Sequence, residues 1–178
     1  MSIKDNLKKI KESLPSHVKL VAVSKTKPVA DIMEAYEAGQ RIFGENKIQE
    51  AREKSETLKD LNIKWAVIGH LQTNKAKYLA RFANEFQALD SLKVAAELDK
   101  RLQIEGRAMD VYVQVNSSGE ASKFGLAPED VRAFVDQLPN YSSLKTKGLM
   151  TLAIFSTDHT RVRECFVKMR NLRDMLRQ

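Results

Sequence analysis

With 178 residues, 43% of them hydrophobic and 30% charged, the chain has the composition of a globular protein large enough to bury a core, and one domain is the default. No apolar run approaches the roughly 18 residues that cross a bilayer, charges stand where a signal peptide needs its apolar stretch (Met1-Ser2-Ile3-Lys4-Asp5-Asn6-Leu7), and the single cysteine, Cys165, excludes an internal disulfide framework and suits a reducing, cytoplasmic compartment. The formal charge of +7 permits nucleic-acid binding, but the 30 Lys and Arg residues are spread among 23 acids, with no zinc-finger spacing, no RNA-binding aromatic strand and no basic region leading into heptads, so a solvated basic surface is the main reading.

Ile3, Leu7, Ile10 and Leu14 recur at helical spacing and predict an amphipathic helix over Ser2 to Leu14, stopped by Pro15. Val18 to Ser24 is a near-continuous apolar run and reads as a strand buried on both faces of a parallel sheet. Pro28 suits a helix first turn, and Val29, Ile32, Met33 and Tyr36 follow on one helical face, with Gly39 as the C-terminal cap. The pattern then repeats. Short strands are expected at Arg41 to Gly44, Lys64 to Ile68, Glu85 to Leu89, Asp110 to Val115 and Leu144 to Met150. Helices are expected at Ile48 to Leu58, from about Asn74, from a cap at Asp90 or Ser91 to Ile104, at Pro128 to Leu138, and at Arg161 to Arg177. The last carries Val162, Phe166, Met169, Leu172 and Leu176 on one face, with Cys165 beside it as a core residue.

Strands alternating with helices imply right-handed crossovers and an α/β parallel sheet, either open and doubly wound or part of a barrel. About six βα units are present, against the eight of a roughly 250-residue barrel. In either case the loops after the strands converge on one rim. They bring Lys25 and Lys27, Glu45 and Asn46, His70, Gln72 and Asn74, Asp90, Asn116, Ser117 and Ser118, then Met150 and Thr151. By position alone, Lys25 is either an ordinary solvated rim residue or an amine held for Schiff-base chemistry with a carbonyl compound. His70 reads first as a structural histidine and second as an acid–base group. His17 and His159 offer no metal spacing, and glycine-rich phosphate signatures are absent.

The run Ala22-Val23-Ser24-Lys25-Thr26-Lys27-Pro28 resembles the cofactor-lysine motif of the pyridoxal-phosphate homeostasis proteins, single-barrel relatives of the alanine racemase N-terminal domain. Phe43-Gly44-Glu45-Asn46 with Gln49-Glu50, the run from Trp65 through Gly69-His70 to Lys75, Val115-Asn116 through Gly119-Glu120, Ser122-Lys123-Phe124-Gly125 and Lys147-Gly148-Leu149-Met150-Thr151 agree with it in order and spacing. The resemblance implies a TIM-type (β/α)8 barrel, here an incomplete one, with residues 1–178 as a single domain short at its C-terminal end. It implies pyridoxal 5′-phosphate as cofactor, Lys25 as the internal aldimine lysine, Asn46 near the ring and Met150 lining the pocket. It implies no metal and no turnover, but a carrier or regulator of vitamin B6 and amino-acid pools; a racemase-like enzyme is the alternative. The partners it implies are the cofactor and pyridoxal-phosphate-dependent apo-enzymes, with neither nucleic acid nor membrane, and a complete barrel would be a monomer.

Two small departures stand out: Ala66 where the family usually has histidine, and Lys47 where an aromatic is common. A larger one is length. The family continues for roughly two more βα units carrying a Ser-Gly turn and an Arg-x-Gly segment, the phosphate-holding end of such barrels. The expectation is therefore a truncated form with an exposed strand edge and a weakened grip on phosphate.

Overall fold

In the computed structural model, which describes residues 2–178, the first helix is set by its cap. Ser2 Oγ accepts the Asp5 N–H at 3.1 Å and the Asp5 carboxylate accepts the Ser2 N–H at 3.3 Å. This reciprocal cap starts α1 (Ile3–Ser13), which ends at Leu14 before Pro15. Pro28 precedes α2 (Val29–Glu37), where it forfeits no intrahelical hydrogen bond. The remaining helices are α3 (Ile48–Thr57), α4 (Ala76–Phe82), α5 (Leu92–Ile104, capped by Ser91), α6 (Val131–Gln137) and α7 (His159–Leu176, capped by Asp158).

Six strands alternate with them: β1 (Ala22–Val23), β2 (Ile42–Glu45), β3 (Lys64–Val67), β4 (Glu85–Leu89), β5 (Met109–Gln114) and β6 (Leu144–Met150). All pair in parallel, in the consecutive order β1-β2-β3-β4-β5-β6. A doubly wound sheet reverses its strand order at a switch point; this one never does, so the sheet is a stretch of (β/α)-barrel wall. Among the described residues it is open, with β1 and β6 as its edges.

The core lies mainly between this wall and the helices. Phe86, Leu89, Leu98, Leu102, Met109, Val111 and Val113 belong to the larger cluster, to which α7 adds Met169 and Leu172. A smaller cluster joins Leu7 of α1 and Ile32 and Ala35 of α2 to Phe43 and Trp65, whose rings lie 6.2 Å apart.

Three expectations about packing need correction. The opening run is not buried on both faces: only Ala22 and Val23 pair, Val23 is 50% exposed and Val18 is also exposed. As an edge strand, β1 has one neighbour and only one covered face, and Leu20 and Ala22 take that face. The last helix buries Cys165, Met169 and Leu172 but leaves Phe166 exposed, because its contact stripe is centred on Cys165, Met169 and Leu172 and Phe166 stands beside it. Met33 of α2 is exposed for a similar reason; Ile32 and Ala35 fill the interface instead.

Candidate functional site

Side chains alternate across a strand. Ala22 and Ser24 therefore face the helix layer, whereas Val21 and Val23 face the inner side, where they flank Gly44. Lys25 follows on the inner side. It is exposed, and its ammonium makes no hydrogen bond or ion pair with any described residue. The backbone beneath it turns tightly. The Lys27 N–H donates to the Ser24 carbonyl at 3.0 Å, and Thr26 adopts φ 62°, a left-handed conformation that β-branched residues avoid.

On the opposite side of the wall lies a buried ionic cluster. Lys54 of α3 donates to Glu45 Oε1 of β2, to Glu50 Oε1 and to the Ser24 carbonyl, each at 2.7 Å. Glu45 Oε1 also accepts the Ser24 hydroxyl at 2.6 Å, and Glu50 Oε1 accepts the Thr26 N–H at 2.6 Å. Glu45 is 1% exposed, and its Oε2 has no hydrogen-bond partner among the described residues. Burial pushes the Lys54 ammonium toward a lower pKa, but its bonds to Glu45 and Glu50 outweigh this and raise it. Glu50 is held below the usual carboxylate range, first by the Lys54 hydrogen bond, against opposing burial.

Asn46 follows β2, the strand beside Lys25, and its carboxamide also has no partner among the described residues. Its position depends on Gly69: a Cβ there would lie 2.5 Å from the Asn46 carbonyl oxygen, so the loops after β2 and β3 touch through a residue without a side chain. Gly125, at φ +111°, plays the same part later, where a Cβ would lie 2.8 Å from the Asn116 nitrogen.

The rest of the rim is mostly occupied with itself. Asp90 accepts the Gly125 N–H, Asn116 Oδ1 accepts the Gly119 N–H, and Ser117 and Thr151 share a hydroxyl–hydroxyl bond of 2.7 Å. His70 stacks on Phe124, centroids 4.1 Å apart and planes within 10°, which favours its structural reading. Met150 ends β6, the far edge of the sheet, and lines a groove of about 780 Å³ against α7 with Phe166 and Met169.

The strand order thus brings Lys25 and Asn46 to neighbouring strand ends and sets Met150 at the opposite edge. Glu45, expected on the rim, is instead buried under it, because alternation along β2 turns Phe43 and Glu45 to the helices. Lys54 escaped the sequence reading; the only signal for it was the i, i+4 spacing of Glu50 and Lys54 on one helical face. Chemically, the arrangement presents a primary amine and a carboxamide at neighbouring strand ends, each without a partner among the described residues. That pair fits a planar carbonyl compound able to bond covalently to one and hydrogen-bond to the other.

A family model described as the alanine racemase N-terminal domain matches residues 1–178. Among curated relatives, the pyridoxal phosphate homeostasis protein of Pasteurella multocida is 36% identical over 190 residues, covering all of this chain and 82% of that protein. That of Aquifex aeolicus is 39% identical over 160 residues, covering 90% of this chain and 70% of that one. The structure of PipY from Synechococcus elongatus, solved with PLP bound, superposes with a TM-score of 0.92 at 35% identity, over 99% of this chain and 82% of PipY.

Proposed function

The chain belongs to the alanine racemase N-terminal domain family, alongside the pyridoxal phosphate homeostasis proteins, and from that membership we propose that it binds pyridoxal 5′-phosphate through Lys25 and acts in the cytoplasm as a carrier or regulator of the cofactor. The observation that carries the reading is the Lys25 amine at the end of β1 and the Asn46 carboxamide at the end of the neighbouring β2, neither with a partner among the described residues.

When bound, the cofactor would supply an aldehyde able to condense with a primary amine with loss of water. Lys25 provides the nitrogen from an exposed position, so capture and release need no opening of the fold. Asn46 would orient the ring by hydrogen bonding, and Met150 would offer an apolar wall from the sheet's other edge. A carrier needs reversible capture and no opposing base, and residues 1–178 serve as its one cofactor-binding domain. Delivery to apo-enzymes then follows by mass action.

Incubation with pyridoxal phosphate, borohydride reduction and peptide mapping test this reading. Label confined to Lys25 and lost in Lys25→Ala supports it; label scattered over surface lysines overturns it.

A further inference from the structure

We infer that Lys54 is a positioning residue for Lys25: with Glu45 and Glu50 it forms a buried clamp that fixes the backbone on both sides of the lysine from the opposite face of the wall. The inference rests on the assignment of Lys25 above. An ammonium has three donors, and Lys54 uses all three, on the Ser24 carbonyl, Glu45 and Glu50. Both acceptors continue to the same segment, Glu45 to the Ser24 hydroxyl and Glu50 to the Thr26 N–H. Every bond the clamp makes to this segment thus ends on the residue before Lys25 or the residue after it, and none is made to Lys25 itself.

Three facts separate this from an incidental surface ion pair. The Lys54 ammonium and the Glu45 carboxylate are nearly inaccessible to water, and their desolvation is unfavourable unless geometry offsets it. Thr26 is held at φ 62°, a conformation that persists only where its surroundings over-determine it. The Ser24 carbonyl accepts twice, from Lys54 and from the Lys27 N–H, which closes the turn. The consequence is selection of an amine. Lys27, two residues on, is exposed and carries the same chemistry. A rigid turn aims one flexible side chain at the inner side and leaves the other outside, and misplacement of a reacting group by about 1 Å can cost on the order of a hundredfold in rate.

Two measurements test the clamp. The first needs no cofactor. Amide hydrogen exchange at Thr26 is compared in the unmodified protein and in Glu50→Ala, with Leu98 in the core of α5 as reference. Exchange at Thr26 at least about tenfold faster in the variant, with Leu98 unchanged, supports the clamp; equal exchange overturns it. The second maps borohydride-fixed pyridoxal phosphate in Lys54→Met and Glu50→Ala. Label divided between Lys25 and Lys27, with capture slowed about tenfold, supports it; label on Lys25 alone at the original rate in a folded variant overturns it. Should Lys54→Met fail to fold, Glu50→Ala, whose side chain is partly exposed, decides both readouts. If the unmodified protein takes no label at Lys25, the proposed function fails, and the Thr26 exchange still decides the clamp.

Discussion

Lys54 Nζ lies 2.7 Å from the Ser24 carbonyl oxygen, so a side chain thirty positions downstream holds the residue that precedes Lys25. This ties β1, an edge strand of two paired residues, to α3 and to β2 through charge, in addition to the apolar packing of Leu20 and Ala22. Removal of the ammonium leaves the Glu45 carboxylate buried and uncompensated. Lys54→Met is expected to lose about 3–5 kcal/mol of stability in urea unfolding, and Glu50→Ala clearly less, because water reaches its carboxylate.

The same cluster sets a pH window. Glu50 binds a proton more weakly in the folded chain than in the unfolded one, so its contribution is present above about pH 4.3 and is lost as pH falls through its lowered folded value. Lys54 holds its proton more tightly when folded, so its contribution is complete below about pH 10.4 and is lost as pH rises through its raised folded value. Melting temperatures should form a plateau between these limits and fall on the acid side. Glu50→Gln should flatten part of the acid limb. Asp5, lowered by the Ser2 hydrogen bonds, and Glu120, lowered by Lys123, keep the rest.

Gly69→Ala should be costly for its size. Its new Cβ meets backbone, the Asn46 carbonyl, which cannot rotate away as a side-chain tip would. A loss of about 1–3 kcal/mol is expected, together with chemical-shift changes at the Asn46 carboxamide in NMR spectra. An unmoved Asn46 signal would show that the loops after β2 and β3 yield elsewhere.

Phe43→Ala should cost about 3–5 kcal/mol, because Phe43 fills the small cluster that joins α1 and α2 to the wall. The single tryptophan reports on it directly: Trp65 is buried beside Phe43, and its emission should shift to the red as water enters the space. An unshifted emission maximum would mean that the cluster has closed over the vacancy.

The alternation of elements was legible because each strand is bounded by turn residues and each helix has its own apolar stripe; Glu85–Leu89 and Leu144–Met150 fall where the residues predict. Burial was less legible. Val18 to Ser24 reads as a central strand because its apolar content is high, but whether a strand has one neighbour or two depends on sheet order, which local composition does not carry. Phe166 reads as core for the same reason, yet the stripe that contacts the wall is set by how α7 rolls against β6. At the rim, loop position alone places Lys25 and Asn46 among many polar residues, and it is the family resemblance that singles them out. Lys54 was not legible, since a lysine inside a helix looks solvated until the carboxylates across from it are known.

The unpaired side of β6 has a bearing on handling the protein. Such an edge is a template for another strand, yet here Lys145, Thr146 and Lys147 are all exposed along it. Lys147 is partly neutralised by Asp110 at 3.6 Å, so in two copies meeting through this edge it is mainly the Lys145 charges that repel, a barrier that shrinks with a Debye length of about 3 Å at 1 M salt. Low ionic strength thus favours separate chains at this edge, and concentrated salt weakens that preference.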